Sequence, residues 1–129
     1  MLDTNICIYL INKRPQIVVE RLKHVPVGEV GLSVITLCEL EYGVQNSAQP
    51  DRNRAALLQF ILPLVVCDLT FEMTLEYGRI RCELKKQQIG IHDLLIAAHA
   101  IQLDTTLVTN NTREFSRVRG LRLEDWAKA

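Results

Sequence analysis

An α/β fold, with a short central parallel sheet of about four to five strands flanked by helices on both faces, is predicted by three features of the sequence. Short apolar β-type runs alternate with longer segments whose apolar residues recur at helical spacing, as in a parallel sheet built by crossover helices. One such segment, 92–103, is apolar on nearly every side and belongs inside. The chain has 129 residues, 48% of them hydrophobic, with no repeat or linker-like tract, which fits one domain (1–129) with one core.

The elements follow in order. Met1-Leu2-Asp3-Thr4-Asn5 reads as the end of a short strand handing over to a helix, with Asp3 at the junction. Thr4 is the expected cap, and the helix runs to about Lys13, where Arg14-Pro15 ends it. Pro15 opens a second helix, Gln16 to about His24, with Ile17, Val18, Arg21 and Leu22 at helical spacing. After a loop, Glu29 to Leu32 is a short strand, and Ser33 caps a helix from Val34 to about Gln45. A helix starting at Asp51 or its neighbour runs to Leu62 and halts near Pro63. Leu64 to Cys67 is the next strand; Asp68 or Thr70 then caps an amphipathic helix from Phe71 to about Gln87, and Gly90 breaks the chain. Beyond the apolar helix, Thr105 to Thr109 is a strand, and Asn110-Asn111-Thr112 turns into one helical turn around Arg113 to Phe115. Leu121 to Leu123 is a last short strand, and Trp126 anchors the tail.

Several function classes drop out. No apolar run is long enough to cross a membrane, and no basic segment precedes an apolar one at the start, so a cytoplasmic protein with no membrane partner is expected. The four cysteines are not closely paired, which argues against zinc and disulfides; four buried reduced thiols are expected. Formal net charge is zero, so bulk charge does not advertise nucleic acid. Two basic clusters remain: Arg113, Arg117, Arg119 and Arg122, with Glu114 against them, and Arg79, Arg81, Lys85 and Lys86, opposed by Glu83. They can meet phosphates or form solvated faces. The histidines offer no nucleophile–base set, and His92 and His99 read as exposed or packing. No H-E-x-x-H, phosphate-binding Gly-rich loop or G-x-S-x-G motif occurs.

The acidic residues are more informative. Right-handed crossovers bring all strand carboxyl ends to one edge of a parallel sheet, where ligands sit. Asp3 ends the first strand. Asp93 opens the apolar helix, with Ile96, Ala97 and Ala100 on its own face, so its side chain runs inward. Asp93 is either a helix cap or a buried carboxylate that needs a partner. Ser33, Thr36 and Glu39 align at intervals of three, with Ile35, Cys38 and Tyr42 beside Glu39; Glu41 is the solvated competitor. Thr109-Asn110-Asn111-Thr112 follows a strand and is either an Asx turn or a set of groups that orient water. Three carboxylates from separate segments at one edge supply hard oxygen ligands for Mg²⁺ or Mn²⁺, ions that activate water for displacement at phosphorus.

Four motifs then stand in order: Leu2-Asp3-Thr4-Asn5, the run Ser33-Val34-Ile35-Thr36-Leu37-Cys38-Glu39-Leu40-Glu41-Tyr42-Gly43, the run from Asp93 to Ala100, and the run from Leu107 through Thr109-Asn110-Asn111-Thr112-Arg113-Glu114 to Phe115. In these the chain resembles, nearly end to end, a PIN-domain ribonuclease, in particular the VapC-like toxins of type II toxin–antitoxin pairs. The resemblance implies a single PIN-like domain and a catalytic set of Asp3, Glu39, Asp93 and Asn111. Asp3 and Asp93 would be the Mg²⁺ or Mn²⁺ ligands, and Glu39 would bind directly or through water. Many members carry an Asp where Asn111 stands; a shift of one residue would put Asn110 there instead. Thr4, Asn5, Thr109 and Arg113 would position substrate. The implied activity is an endoribonuclease toxin that cuts tRNA, including the anticodon stem-loop of initiator tRNA, and inhibits translation when free of its antitoxin. The implied partners are RNA, a VapB-like antitoxin lying across the active-site groove, and a second copy of the chain in a homodimer. Members commonly have several apolar residues before the D-T-N; only Met1 and Leu2 precede it here, so a very short first strand is expected. Two rival readings accompany this one: a non-catalytic RNA-binding module, kept open by the missing charge at Asn111, and a phosphoacceptor domain with Asp3 as nucleophile, which would want a second Asp where Asn5 stands.

Overall fold

Leu2 joins the two halves of the sheet. In the computed structural model, which describes residues 1–128, it forms parallel bridges to Leu32 on one side and Val108 on the other. The Leu2 amide donates to Gly31 O at 2.8 Å, the Asp3 amide to Val108 O at 3.0 Å, and the Val108 amide to Met1 O at 2.8 Å. Strand β1 (Gly31–Ser33) pairs in parallel with β2 (Val65–Cys67), and β3 (Leu107–Val108) with β4 (Leu123–Glu124). The order across the sheet is therefore β2, β1, Leu2, β3, β4, all parallel. The expected first strand exists as a single bridging residue.

Helices cover both faces. On one, α5 (Phe71–Glu83) and α6 (Ile91–Gln102) bury Met73, Ile80, Leu94 and Ile96 with Phe115 of the short α7 (Thr112–Phe115). On the other, α1 (Thr4–Asn12), α2 (Gln16–Lys23), α3 (Val34–Gln45) and α4 (Pro50–Ile61) bury Ile6, Leu10, Val18, Leu40 and Leu57. Trp126 joins this second cluster and anchors the tail. Helix α6 contributes a nearly unbroken buried run from Ile96 to Ala100, as its apolar character requires.

His99 is fully buried within that run. Its Nε2 lies 3.1 Å from Asp68 O and its Nδ1 2.8 Å from Ser33 Oγ. A carbonyl only accepts, so Nε2 carries the proton and Nδ1 accepts from the serine hydroxyl. Burial holds the imidazole below its ordinary pKa and keeps it neutral. His99 thus ties α6 to the β1–α3 junction, whereas His92, one heptad earlier, is exposed.

Several sequence expectations shift. Asp3, not Thr4, caps α1: its backbone is extended and its carboxylate accepts from the Ile6 amide. Thr4 is the first helical residue and its hydroxyl turns elsewhere. Strand β1 starts at Gly31 rather than Glu29, because the preceding turn passes through Gly28 at φ 93°. Strand β3 covers only Leu107–Val108, since the Thr105 amide is used to close α6 at Ala100 O. Helix α5 stops at Glu83, short of Gln87, and Thr70 is its cap. Only Cys7 is buried; Cys38 and Cys82 are exposed, because α3 and α5 turn these positions outward, and Cys67, at the end of β2, is intermediate. The basic clusters are partly neutralised. Arg79 pairs with Glu76 and Glu83, Arg119 with Glu83, and Arg122 with Asp104.

The β1–β2 pairing depends on the absence of a side chain at Gly31. A Cβ there would lie 2.6 Å from the backbone oxygen of Val65, which is fixed in the partner strand and cannot move aside. Gly31→Ala is expected to destabilise the domain by about 1–3 kcal/mol, the usual cost of overpacking, read as a lowered denaturant midpoint with unchanged slope.

Candidate active site

Three chain segments deliver carboxylates to the carboxyl edge of the sheet. Asp3 follows the Leu2 bridge directly. Its side chain is 4% exposed and accepts from the Ile6 amide at 2.9 Å, which fixes one oxygen on the α1 terminus. The Thr109 side chain also favours the ionised form of this carboxylate. Thr109 is fully buried at the end of β3, held by its amide to Glu124 O at 2.9 Å, and its hydroxyl accepts from the Asn111 amide at 2.9 Å.

Glu39 lies on α3, one turn after the buried Thr36. Thr4 Oγ1 donates to Glu39 Oε1 at 2.6 Å, and His92 Nδ1 stands 3.3 Å from Oε2. The carboxylate is thus held between the first turns of α1 and α6. Glu41 faces away and pairs with Arg54 at 2.8 Å. Asp93 occupies the first turn of α6, half-buried, next to His92.

The other candidate residues are placed unevenly. Asn111 Nδ2 reaches Glu114 Oε2 at 3.4 Å, within the first turn of α7. Asn110 Nδ2 donates to the Tyr9 hydroxyl at 2.7 Å and so ties the loop to α1. Asn5 and Arg113 are exposed, and neither side chain makes a hydrogen bond among the described residues. Thr4, Glu39, Asp3, Thr109 and Asp93 are brought together; Asn5 and Arg113 remain at the rim.

Comparison with known proteins supplies the class. The model of the PIN domain matches residues 1–121. The chain belongs to the PIN-domain family. It is 44% identical over 131 residues to Ribonuclease VapC2 of Rickettsia felis, covering 99% of this chain and 98% of that one. It is likewise 44% identical over 129 residues to the tRNA(fMet)-specific endonuclease VapC of Shigella flexneri, covering 98% and 97%. In the crystal structure of DNA-bound VapBC from Salmonella typhimurium, a chain 42% identical superposes with a TM-score of 0.92, over 98% of this chain and 96% of that one. Within the PIN-domain family, then, this is a ribonuclease of the VapC group.

The electrostatics of this PIN domain reveal a fourth acidic group that the sequence reading passed over. The Asp93 carboxyl is pushed up to about 6, first by burial and then by the charges of Asp3, Glu39 and Glu114. Asp3 is raised too, chiefly by burial, with the hydrogen bonds from Thr109 and Ile6 pulling the other way. In the sequence Glu114 stands only as a counter-charge to the arginines around it. The usable signal was its spacing: it lies three residues after Asn111, hence on the same side of α7.

The carboxylates do not close tightly on one point. Among the described residues no three His, Cys, Asp or Glu side chains are grouped closely enough to enclose a metal ion. Glu39 is turned toward Thr4 and His92, and Asp3 is anchored on α1. The donor chemistry nevertheless fits a hard divalent cation: oxygen only, several like charges, and ionisation opposed until positive charge arrives.

The raised Asp93 pKa has a consequence for stability. The native state binds this proton more tightly than the unfolded chain, so the contribution is complete below about pH 4, the unfolded value, and is lost as pH rises through about 6. In EDTA, Asp93→Asn is expected to unfold at a higher temperature than the native protein at pH 7.5. The difference should shrink toward pH 4, as read by thermal denaturation across pH.

Proposed function

We propose that this ribonuclease hydrolyses tRNA, with Mg²⁺ or Mn²⁺ held by Asp3 and Asp93. The observation that carries this reading is the convergence of Asp3, Glu39, Asp93 and Glu114 on one sheet edge, where the charges of the other three oppose ionisation of Asp93. A divalent cation held there by Asp3 and Asp93 would supply positive charge and acidify a water. Glu39, steadied by Thr4, accepts or orients the proton of that water. Thr109 holds the Asp3 carboxylate in place, and Asn111 steers Glu114. Arg113 and Asn5, free at the rim, meet the flanking phosphates and riboses. Water attacks phosphorus in line, its oxygen joins the phosphate, and the bond to the 3′ oxygen breaks. The products are a 3′-hydroxyl and a 5′-phosphate.

Initiator tRNA, cut in its anticodon stem-loop, is the favoured target, because relatives from Shigella flexneri and Salmonella typhimurium are named tRNA(fMet)-specific endonucleases. Cleavage there would stop translation, a role exercised in the cytoplasm; among the described residues no helix is long and apolar enough to cross a membrane. The non-catalytic alternative rested on the missing charge at Asn111. Glu114, hydrogen-bonded to that same amide, supports the catalytic reading instead.

Two surfaces suit the implied partners. An apolar groove of about 250 Å³ between α1, α3 and α4 is lined by Ile8, Ile11, Leu40, Val44 and Leu57 and ends at Glu39. A VapB-like antitoxin segment lying in it reaches the catalytic carboxylates. Solved relatives, such as VapBC2 of Rickettsia felis bound to promoter DNA, are toxin–antitoxin complexes. Leu58, Leu62, Val65, Leu69, Phe71 and Leu75 are exposed along the end of α4, the edge strand β2 and the start of α5. Covering this edge with a second copy gives the homodimer. A single domain over 1–129 suits this reading, supported by Trp126, which packs into the core beyond residue 121, where the family match ends.

Purified protein incubated with total tRNA and Mg²⁺ is expected to give discrete new 5′ ends. EDTA abolishes them, and Glu39→Gln slows their appearance by about 10²–10⁴-fold. Cleavage by Asp93→Asn at the native rate would sink the assignment.

A further inference from the structure

Beside the carboxylates lies a second, distinct feature: a cleft of about 440 Å³ lined by Thr4, Cys38, Glu39, Tyr42 and His92. We propose that it is a nucleobase subsite, in which a base next to the scissile phosphate stacks on Tyr42. This inference rests on the nuclease reading of the neighbouring carboxylates and adds a determinant of which RNA they cut.

Four observations point to a base. The cleft is continuous with the candidate active site: Thr4 and Glu39 line both, and His92 precedes Asp93 in the chain. Tyr42 is 70% exposed, on the same α3 face as Cys38 and Glu39 at intervals of four and three, so its ring is presented to solvent rather than packed. His92 uses Nδ1 toward Glu39, while its Nε2 makes no hydrogen bond among the described residues and is available to a base edge. Finally, no Lys or Arg lines the cleft, and Glu39 brings negative charge. A phosphate is therefore disfavoured there, whereas a neutral, flat, hydrogen-bonding group is suited. Its size falls within the roughly 300–1,000 Å³ of small-ligand sites. Unstacked bases of RNA loops are bound in this way, by stacking on aromatic rings and by contacts to their edges.

The geometry also explains how one carboxylate site can choose a phosphate. A backbone threaded past Asp3 and Asp93 places an adjacent base beside α3, and only a base free to leave its stack enters. A loop satisfies this; a duplex does not.

The test uses the full-length protein and a synthetic stem-loop carrying the anticodon loop of initiator tRNA, with each loop base replaced in turn by an abasic site. Tyr42→Ala is expected to raise KM about 10–100-fold with little change in kcat, the worth of one base–aromatic stack. Tyr42→Phe should recover most of the loss. In the native protein one abasic position should cost a similar factor, and in Tyr42→Ala that same position should cost nothing more, since the two changes remove one interaction. Kd for the same RNAs, measured in the Asp93→Asn background, should show the same ratios. That arm reads out even if the native protein cuts nothing, a result that would overturn the nuclease reading while the Kd ratios still decide whether a base stacks on Tyr42. Unchanged KM and Kd in Tyr42→Ala, or abasic and Tyr42 effects that multiply, overturn the subsite. So does loss of the dimer in Tyr42→Ala with RNA affinity intact, which would make the cleft a protein contact.

Discussion

The double pairing of Leu2 is the constraint on which the rest of the molecule depends. One residue's backbone connects the β1–β2 pair to the β3–β4 pair, and its side chain is fully buried in the core beneath α1–α4. The next residue in the chain is Asp3. Its position is therefore fixed from behind by the sheet and from the side by the α1 amides it caps. A carboxylate on a longer, looser strand end would have to be held by side-chain contacts alone. Here the backbone does it, and the short strand costs little because neighbours on both sides supply the hydrogen bonds.

Around that fixed point the fold assembles what folding alone would keep apart. Burial and mutual repulsion raise Asp3 and Asp93, so the cluster opposes stability until positive charge is supplied. The supporting shell is neutral and rigid. Thr4 donates to Glu39, Thr109 favours the ionised Asp3, and the buried neutral His99 fastens α6 to the start of α3. The helices that carry Glu39 and Asp93 are thereby locked to one another from within the core. Strain of this kind is typical of functional sites, where local stability is given up for chemistry.

The surfaces around the site share Glu39 as their meeting point. The apolar groove between α1, α3 and α4 ends there, and the cleft with Tyr42 and His92 begins there. A partner segment in the groove and a base in the cleft would compete for the ground next to the same carboxylate. The basic residues contribute less than their number suggests, because Arg79 is paired within its own helix and Arg119 and Arg122 with acidic groups from other segments.

Most of the architecture was legible in the chain, because it follows from local periodicity. The almost wholly apolar helix 92–103, the Ser33 cap and the alternation of short strands with helices depend on near neighbours, and so do Asp3 and Asp93 as residues at element starts. Element ends shifted by a few residues where tertiary bonds decided them, as when Thr105 closes α6 instead of extending β3. Cys38 and Cys82 proved exposed because burial is set by which helix face meets a neighbour, not by apolar sequence context. The pairing of Arg119 with Glu83, across 36 positions, has no local signature at all. Glu114 was masked in the same way: its sequence neighbours are arginines, and only folding puts it near Asp93. The sequence by itself determined the element types and the chemistry of the acidic residues, since backbone propensity and functional groups are properties of short stretches. Which carboxylates act on one another, and which faces stay open to partners, was decided only by the tertiary structure, because those depend on distances between residues far apart in the chain.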